Sequence, residues 1–182
     1  MSHTIWTIGH SNREMAEFLD LLRMARIEIV ADVRRFPGSR RQPRFAGEAI
    51  EEALAARGLG YRWIPELGGR RRPLPASINT GWRHPAFRGY ADYMATPEFE
   101  LGVRELTAIA GERRTAMMCS EAVWWRCHRR LVSDLLVVRG WEVLHILGPR
   151  PPEPHRLSAH ALVVDGVLTY PGPAPDPEGD VG

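Results

Sequence analysis

The chain has 182 residues, 44% hydrophobic and 25% charged, a length and balance that fit one globular domain and exclude disorder, collagen and coiled coil. No apolar stretch approaches the ~18 residues of a membrane span, and Met1 to Trp6 enters a strand-like segment without the pattern of a secretion signal. With only Cys119 and Cys127 there is no disulfide framework, so a reducing, cytoplasmic location is expected.

The net charge is +2, yet all 24 basic side chains are arginine, each a planar fork suited to phosphate or carboxylate. Arg34 to Arg72 holds ten arginines against four glutamates, whereas the segment from Pro151 onward holds one arginine and five acids. This polarity is compatible with an anionic partner, and equally with a solvated arginine face.

In chain order, Thr4 to Ile8 is a β-branched and aromatic run that predicts a first strand, and Gly9-His10-Ser11 leads into a helix. Ser11 and Glu14 are placed as a capping box, with Met15, Phe18, Leu19 and Leu22 on the buried face. Ile27 to Ala31 predicts the second strand, followed from Asp32 and Val33 by a long loop rich in Arg, Pro and Gly. A helix from about Gly47 to Ala56 ends at Gly58, and Tyr61 to Ile64 predicts the third strand. After a second Arg-rich loop, helical patterns run over Phe87 to Met94 and Pro97 to Ala110.

Thr115 to Cys119 predicts the fourth strand, Trp124 to Arg139 a helix, and Trp141 to Leu147 the fifth strand. The alternation predicts an α/β fold, a single parallel sheet of about five strands, Rossmann-like or flavodoxin-like, flanked by helices over residues 1–148. Residues 149–182 read as a Pro-rich linker, a hairpin signalled by Asp165-Gly166, and a disordered tail from about Pro171.

Ligands of open parallel sheets sit beyond the carboxyl ends of the strands, which makes the residues there the ones to inspect. They are His10 and Ser11 after the first strand, Asp32, Arg34 and Arg35 after the second, Glu66, Gly68, Gly69 and Arg70 after the third, and Cys119, Ser120 and Glu121 after the fourth. Titratable and anion-gripping groups dominate, which points to a polar active site.

Projecting the helix from Trp124 puts His128 inward with Leu131 and Leu135, and places Arg126, Arg129, Arg130 and Ser133 on the opposite face. An inward His128 suits either a structural hydrogen bond or proton exchange with a substrate. Cys119, between a strand and a helix start, is the candidate nucleophile, and Cys127 reads as a packed thiol. Arg126 falls one residue too late for a C-x5-R phosphate loop. A metal set of Cys119, Cys127, His128 and His10 matches no standard zinc spacing, so no metal is assigned, and the sequence names no cofactor.

The phrases T-I-G-H-S at 7 to 11, D-V-R-x-x-P-x-S-R at 32 to 40, E-L-G-G at 66 to 69, R-G-Y-A-D-Y-M at 88 to 94 and M-C-S-E-x-x-x-x-x-C-H-R-R at 118 to 130 resemble the DUF488 family over roughly residues 4 to 147. The resemblance implies a domain of unknown function, found in bacteria and archaea, with suggested links to nucleic acid or nucleotide metabolism. It marks His10, Ser11, Asp32, Arg34, Pro37, Ser39, Glu66, Gly68, Gly69, Tyr90, Cys119, Glu121, Cys127, His128 and Arg129, most of them already chosen by their strand-end positions.

The favoured expectation is an enzyme acting on a nucleotide, nucleic acid or other phosphorylated substrate. Cys119, Glu121, His128, His10 and Asp32 would supply nucleophile, acid or base. Ser11, Arg34, Ser39, Arg40, Arg41, Glu66, Gly68, Gly69, Tyr90 and Arg129 would bind substrate. The alternative is a non-catalytic nucleic-acid binding module, its Arg-rich loops on the backbone and Phe36, Trp63, Trp82 or Tyr90 stacked on bases.

Overall fold

The apolar runs become five parallel strands, and the polar residues that end them fall along one rim. The computed structural model describes residues 3–38 and 40–173. The strands are β1 (Thr4–Gly9), β2 (Ile29–Asp32), β3 (Gly60–Trp63), β4 (Thr115–Cys119) and β5 (Glu142–Ile146). A two-residue antiparallel strand, β6 (Glu153–Pro154), completes the sheet in the order β3-β2-β4-β1-β5-β6. Two helices, α1 (Met15–Met24) and α2 (Gly47–Ala55), cover one face. The other is covered by α3 (Pro85–Tyr93), α4 (Pro97–Glu112) and α5 (Arg129–Val138). No helix among the described residues is long and apolar enough to cross a membrane.

The two-residue period of the strands decides which chemistry each face receives. On β4, Ala116 and Met118 enter the core under α1 and α2, whereas Met117 and Cys119 face α3 and α5. On β1, Trp6 and Ile8 point to the α1 side and Ile5 to the α5 side. Thr7 follows Ile5 and meets Arg129 of α5. Since β4 lies between β1 and β2, with Gly9 beside Cys119 and Met118 beside Asp32, the three strand ends that carry His10, Arg34 and Cys119 are neighbours.

Two local readings are corrected. Ser11 does not cap α1: it adopts φ 49° and donates its N–H to Ser120 O at 2.9 Å, tying the ends of β1 and β4 together. The residue before α1 is Glu14, whose carboxylate pairs with Arg44 at 2.9 Å. The helix expected from Trp124 is broken: a 3-10 turn over Trp124–Arg126 is followed by extended backbone at Cys127 (φ −129°, ψ 152°), and α5 starts only at Arg129. A projection continued through that break still puts Leu131 and Leu135 inward, as observed, but misplaces Arg129 (1% exposed) and Ser133 (0%), which are buried rather than opposite the core.

The Pro-rich stretch read as a linker supplies the edge strand β6, where a proline is tolerated because only one side of the strand must pair. Beyond it, β7 (Leu162–Val164) and β8 (Val167–Thr169) form the hairpin expected at Asp165-Gly166, both residues having positive φ as a primed turn requires. The expected tail lies largely in 174–182, outside the described residues.

This C-terminal segment is held by the buried carboxylate of Asp134. Asp134 Oδ1 accepts from His155 Nε2 at 2.8 Å and Ser158 N at 3.0 Å, and Oδ2 accepts the Tyr170 hydroxyl at 2.8 Å. Tyr170 also packs against Trp82, donates its N–H to the side-chain Oδ1 of Asn79 at 3.0 Å, and accepts from Gly81 N at 2.8 Å. An Asp134→Ala substitution strands three buried donors and is expected to cost about 3–5 kcal/mol. Urea unfolding measures this, and limited proteolysis should show faster cleavage within 153–170; an unchanged midpoint and cleavage pattern would refute the anchoring role.

Candidate active site

Above the ends of β1, β2 and β4 lies a cleft of about 1090 Å³. Among the described residues six arginines line it, Arg34, Arg35, Arg40, Arg41, Arg70 and Arg126, against the single acid Glu121. Arg40, Arg41, Arg70 and Arg126 are exposed, so the mouth of the cleft is strongly cationic. Phe36 and Trp125, 64% and 42% exposed, offer ring surface at the same opening.

One wall is a buried cluster around Asp32. Arg34 grips its carboxylate through Nε at 2.8 Å to Oδ1 and Nη2 at 2.6 Å to Oδ2, and spends Nη1 on Phe45 O at 2.7 Å. Tyr61 donates its hydroxyl to Asp32 Oδ2 at 2.6 Å; burial, and then Asp32, push its ionisation up. Arg34 is thus clamped from within, and Asp32 lies behind the cleft rather than in it.

His10 stacks on Phe45 with ring centroids 4.4 Å apart. Its Nε2 faces Arg34 Nη1 at 3.3 Å, and a guanidinium only donates, so Nε2 is the acceptor and Nδ1–H donates to Ser11 O at 2.8 Å. Burial foremost, with Arg34 and Arg129 adding to it, holds the imidazole down at about 4, so His10 is neutral near pH 7.

The floor holds both thiols. Cys119 Sγ lies 2.6 Å from Cys127 Sγ. Cys127 Sγ also faces His128 Nδ1 at 3.5 Å and accepts the backbone N–H of Arg129 at 3.4 Å. His128 Nε2 lies 3.0 Å from Val33 O, which only accepts; Nε2 therefore carries the proton, and in the neutral ring the Nδ1 lone pair faces Cys127. Gly69 makes room for this ring, since a Cβ there would come within 2.9 Å of Nδ1. The Tyr90 ring packs on the other side, and its hydroxyl is donated to Leu67 O at 2.6 Å.

The side chain of Arg129, the residue after His128, is the largest that is fully buried among the described residues. It donates to Thr7 Oγ1 at 3.3 Å and to Glu121 O, and no carboxylate contacts its guanidinium among the described residues. Burial works against its charge, and the two cysteines more than offset this, holding the guanidinium protonated. The thiols respond in opposite senses. Burial opposes ionisation at both, but at Cys127 the hydrogen bond from Cys119, His128 and Arg129 together prevail and lower it; at Cys119 burial and the bond given to Cys127 raise it. Of the two, Cys127 is the one whose ionisation the surroundings favour.

The helix-start thiol is therefore Cys127, which the unbroken helix had made a packed residue, and Cys119 is its donor. Of the sequence candidates, His10, Ser11, Arg34, Arg40, Arg41, Gly69, Tyr90, Cys119, Glu121 and His128 share the cleft. Gly68 and Arg129 lie just behind it; Gly68 packs against the Arg35 backbone, where a Cβ would come within 2.5 Å. Glu66 lies outside the lining and serves through its carbonyl, which accepts from Tyr93. Glu121 contributes its carbonyl to Arg129 while its side chain is exposed. Ser39 lies outside the described residues. Arg35, Arg70, Arg126 and His84 join the cleft unassigned by the sequence; Arg35 and Arg70 follow strand ends, which was the only available signal.

A directed chain leads away from the site. His155 Nε2–H donates to Asp134, so its Nδ1 accepts from His145 Nε2–H at 2.9 Å, and His145 Nδ1 in turn accepts from Thr7 Oγ1 at 2.7 Å. Arg129 thus connects to Asp134 through Thr7, His145 and His155. Burial first, then His155 and Arg129, depress His145 to about 2, and its ring stacks on Trp124 at 4.4 Å.

Both His10 and His145 are held below their unfolded value of about 6.5, so each contributes stability that is complete above that pH and is lost as pH falls, down to about 4 for His10 and about 2 for His145. Unfolding should take up about two protons near pH 5, a slope of up to ~2.7 kcal/mol per pH unit from these groups. His145→Gln should flatten urea-derived stability between pH 6.5 and 4.5 by about one proton; an unaltered slope would contradict the burial of a neutral imidazole.

Comparison with curated proteins and with solved structures returned no match. The family described as Domain of unknown function DUF488 matches residues 14–136, more than half of the chain and the whole span from α1 through most of α5. On that match the protein belongs to the DUF488 family.

Proposed function

We propose that the protein is an enzyme that binds a phosphate-bearing substrate, a nucleotide or a nucleic-acid end, in the arginine-lined cleft and attacks it with the thiolate of Cys127. The observation that carries this reading is the convergence on one sulfur of a thiol donor at 2.6 Å, an imidazole lone pair at 3.5 Å and a helix-start N–H at 3.4 Å. A module that only binds needs arginines and rings, and has no use for a buried thiol whose ionisation its neighbours favour.

The steps follow from the donors and acceptors. His128 Nδ1 accepts the Cys127 proton, the sulfur attacks the electrophilic centre, and the bond to the leaving group breaks as His128 returns that proton to it. Cys119 donates to the sulfur and Arg129 balances its charge. Arg40, Arg41, Arg70 and Arg126 face the phosphate, while Phe36 and Trp125 suit stacking on a base.

Alkylation with iodoacetamide, mapped by peptide mass spectrometry across pH, tests this. Cys127 is expected to react with an apparent pKa well below the free-thiol value of about 8.5, and Cys119 more slowly. Inorganic phosphate, mononucleotides or short DNA should protect Cys127, and the Arg40→Ala, Arg41→Ala pair should raise the half-protecting concentration about tenfold. Thiols that stay inert until unfolding would refute the nucleophile. Reactive but unprotected Cys127 would refute the phosphate-bearing substrate.

A further inference from the structure

The nucleophile proposed above needs one thiol, and the floor of the cleft has two. Their sulfurs lie closer than van der Waals contact between unbonded sulfurs allows, yet both are free thiols. Cys119 reaches this point because the strand period aims it at α5, and Cys127 because the helix breaks before it. The break leaves extended backbone at Cys127 between the 3-10 turn and α5, outside both elements. Both cysteines line the cleft but are only 2% and 4% exposed, so the site suits a small oxidant rather than a protein disulfide.

We infer that Cys119 and Cys127 form a reversible dithiol–disulfide site that is oxidised by small hydroperoxides and that inactivates the cleft while oxidised. The sulfur of Cys127 attacks the terminal oxygen of the hydroperoxide and the O–O bond breaks; the departing alkoxide or hydroxide takes up a proton, leaving Cys127 as a sulfenic acid. The Cys119 sulfur then displaces that hydroxyl: an S–S bond forms, the S–O bond breaks, and the Cys119 proton leaves with the hydroxyl as water. Each disulfide formed thus consumes one hydroperoxide and releases one alcohol, or water, besides that water.

Return to the dithiol takes two equivalents of a thiol reductant, which ends as its own disulfide. Arg129 sets the direction of this balance. Its buried charge is compensated when Cys127 is a thiolate and is left beside a neutral disulfide when the pair is oxidised, so the reduced form is favoured and the disulfide is readily reduced. Cys119 also keeps Cys127 from the irreversible sulfinic and sulfonic acids, because it captures the sulfenic acid first.

The inference uses the same Cys127 thiolate as the function proposed above but not the arginine cleft, and the experiment separates the two. The full-length protein is treated with hydrogen peroxide, quenched with an alkylating agent, and read by intact mass and peptide mapping. Wild type should lose two hydrogen atoms, yield a Cys119–Cys127 linked peptide, and recover both thiols with dithiothreitol. Cys119→Ser should instead accumulate a dimedone-reactive sulfenic acid on Cys127 and proceed to sulfinic acid, and Cys127→Ser should leave Cys119 at least tenfold less reactive toward peroxide. A wild-type protein that goes to sulfinic acid without the linked peptide, or keeps both thiols until it unfolds, would overturn the inference. If phosphate still protects Cys127 from alkylation in a protein that forms no disulfide, the substrate reading stands and this inference alone falls.

Discussion

The buried charge of Arg129 is the constraint from which much of the site follows. A guanidinium removed from water must be balanced or hydrogen-bonded, and here no carboxylate contacts it among the described residues. The compensation comes from the thiol pair on one side and from oriented oxygens, Thr7 Oγ1 and Glu121 O, on the other. The arrangement is reciprocal: the two cysteines hold the guanidinium charged, and the bond from Cys119, His128 and that guanidinium together favour ionisation at Cys127.

Holding these groups together requires backbones to approach more closely than most residues permit. A Cβ on Gly9 would lie 1.7 Å from Glu121 O, so glycine at the end of β1 lets the loop after β4 fold over the strand end and present that carbonyl to Arg129. Gly69 does the same for the His128 ring. These glycines serve the site through space rather than through chemistry of their own.

The C-terminal segment beyond the family match is joined to this machinery. His155 follows the edge strand, Tyr170 follows the hairpin, and both meet Asp134 on the far side of α5. The chain of hydrogen bonds from Arg129 through Thr7, His145 and His155 ends on that carboxylate, so the one fully buried cation of the site and a fully buried anion are linked by groups that all donate in the same sense. Cooperative polarisation along such a chain favours the same proton positions at every link and so keeps His145 and His155 in single tautomers.

The sequence alone determined the α/β alternation, the strands to within a residue or two, the Asp165-Gly166 turn and the rim where the candidate residues gather, because period and punctuation are local properties. His10, Arg34, Cys119 and His128 were legible for that reason: each follows a strand or begins a helix. That Cys127 meets Cys119 and His128 at the floor of the cleft was decided by tertiary structure, since the helical pattern runs through Trp124 to Arg139 and nothing local announces the break that turns Cys127 toward Cys119. The same holds for Asp32, which a strand-end reading places in the site and which the fold spends on Arg34 and Tyr61. The union of Asp134 with His155 and Tyr170 lay equally beyond reach, because partners this far apart in the chain meet only when the sheet, the hairpin and α5 have packed, and burial then decides which charges must be answered.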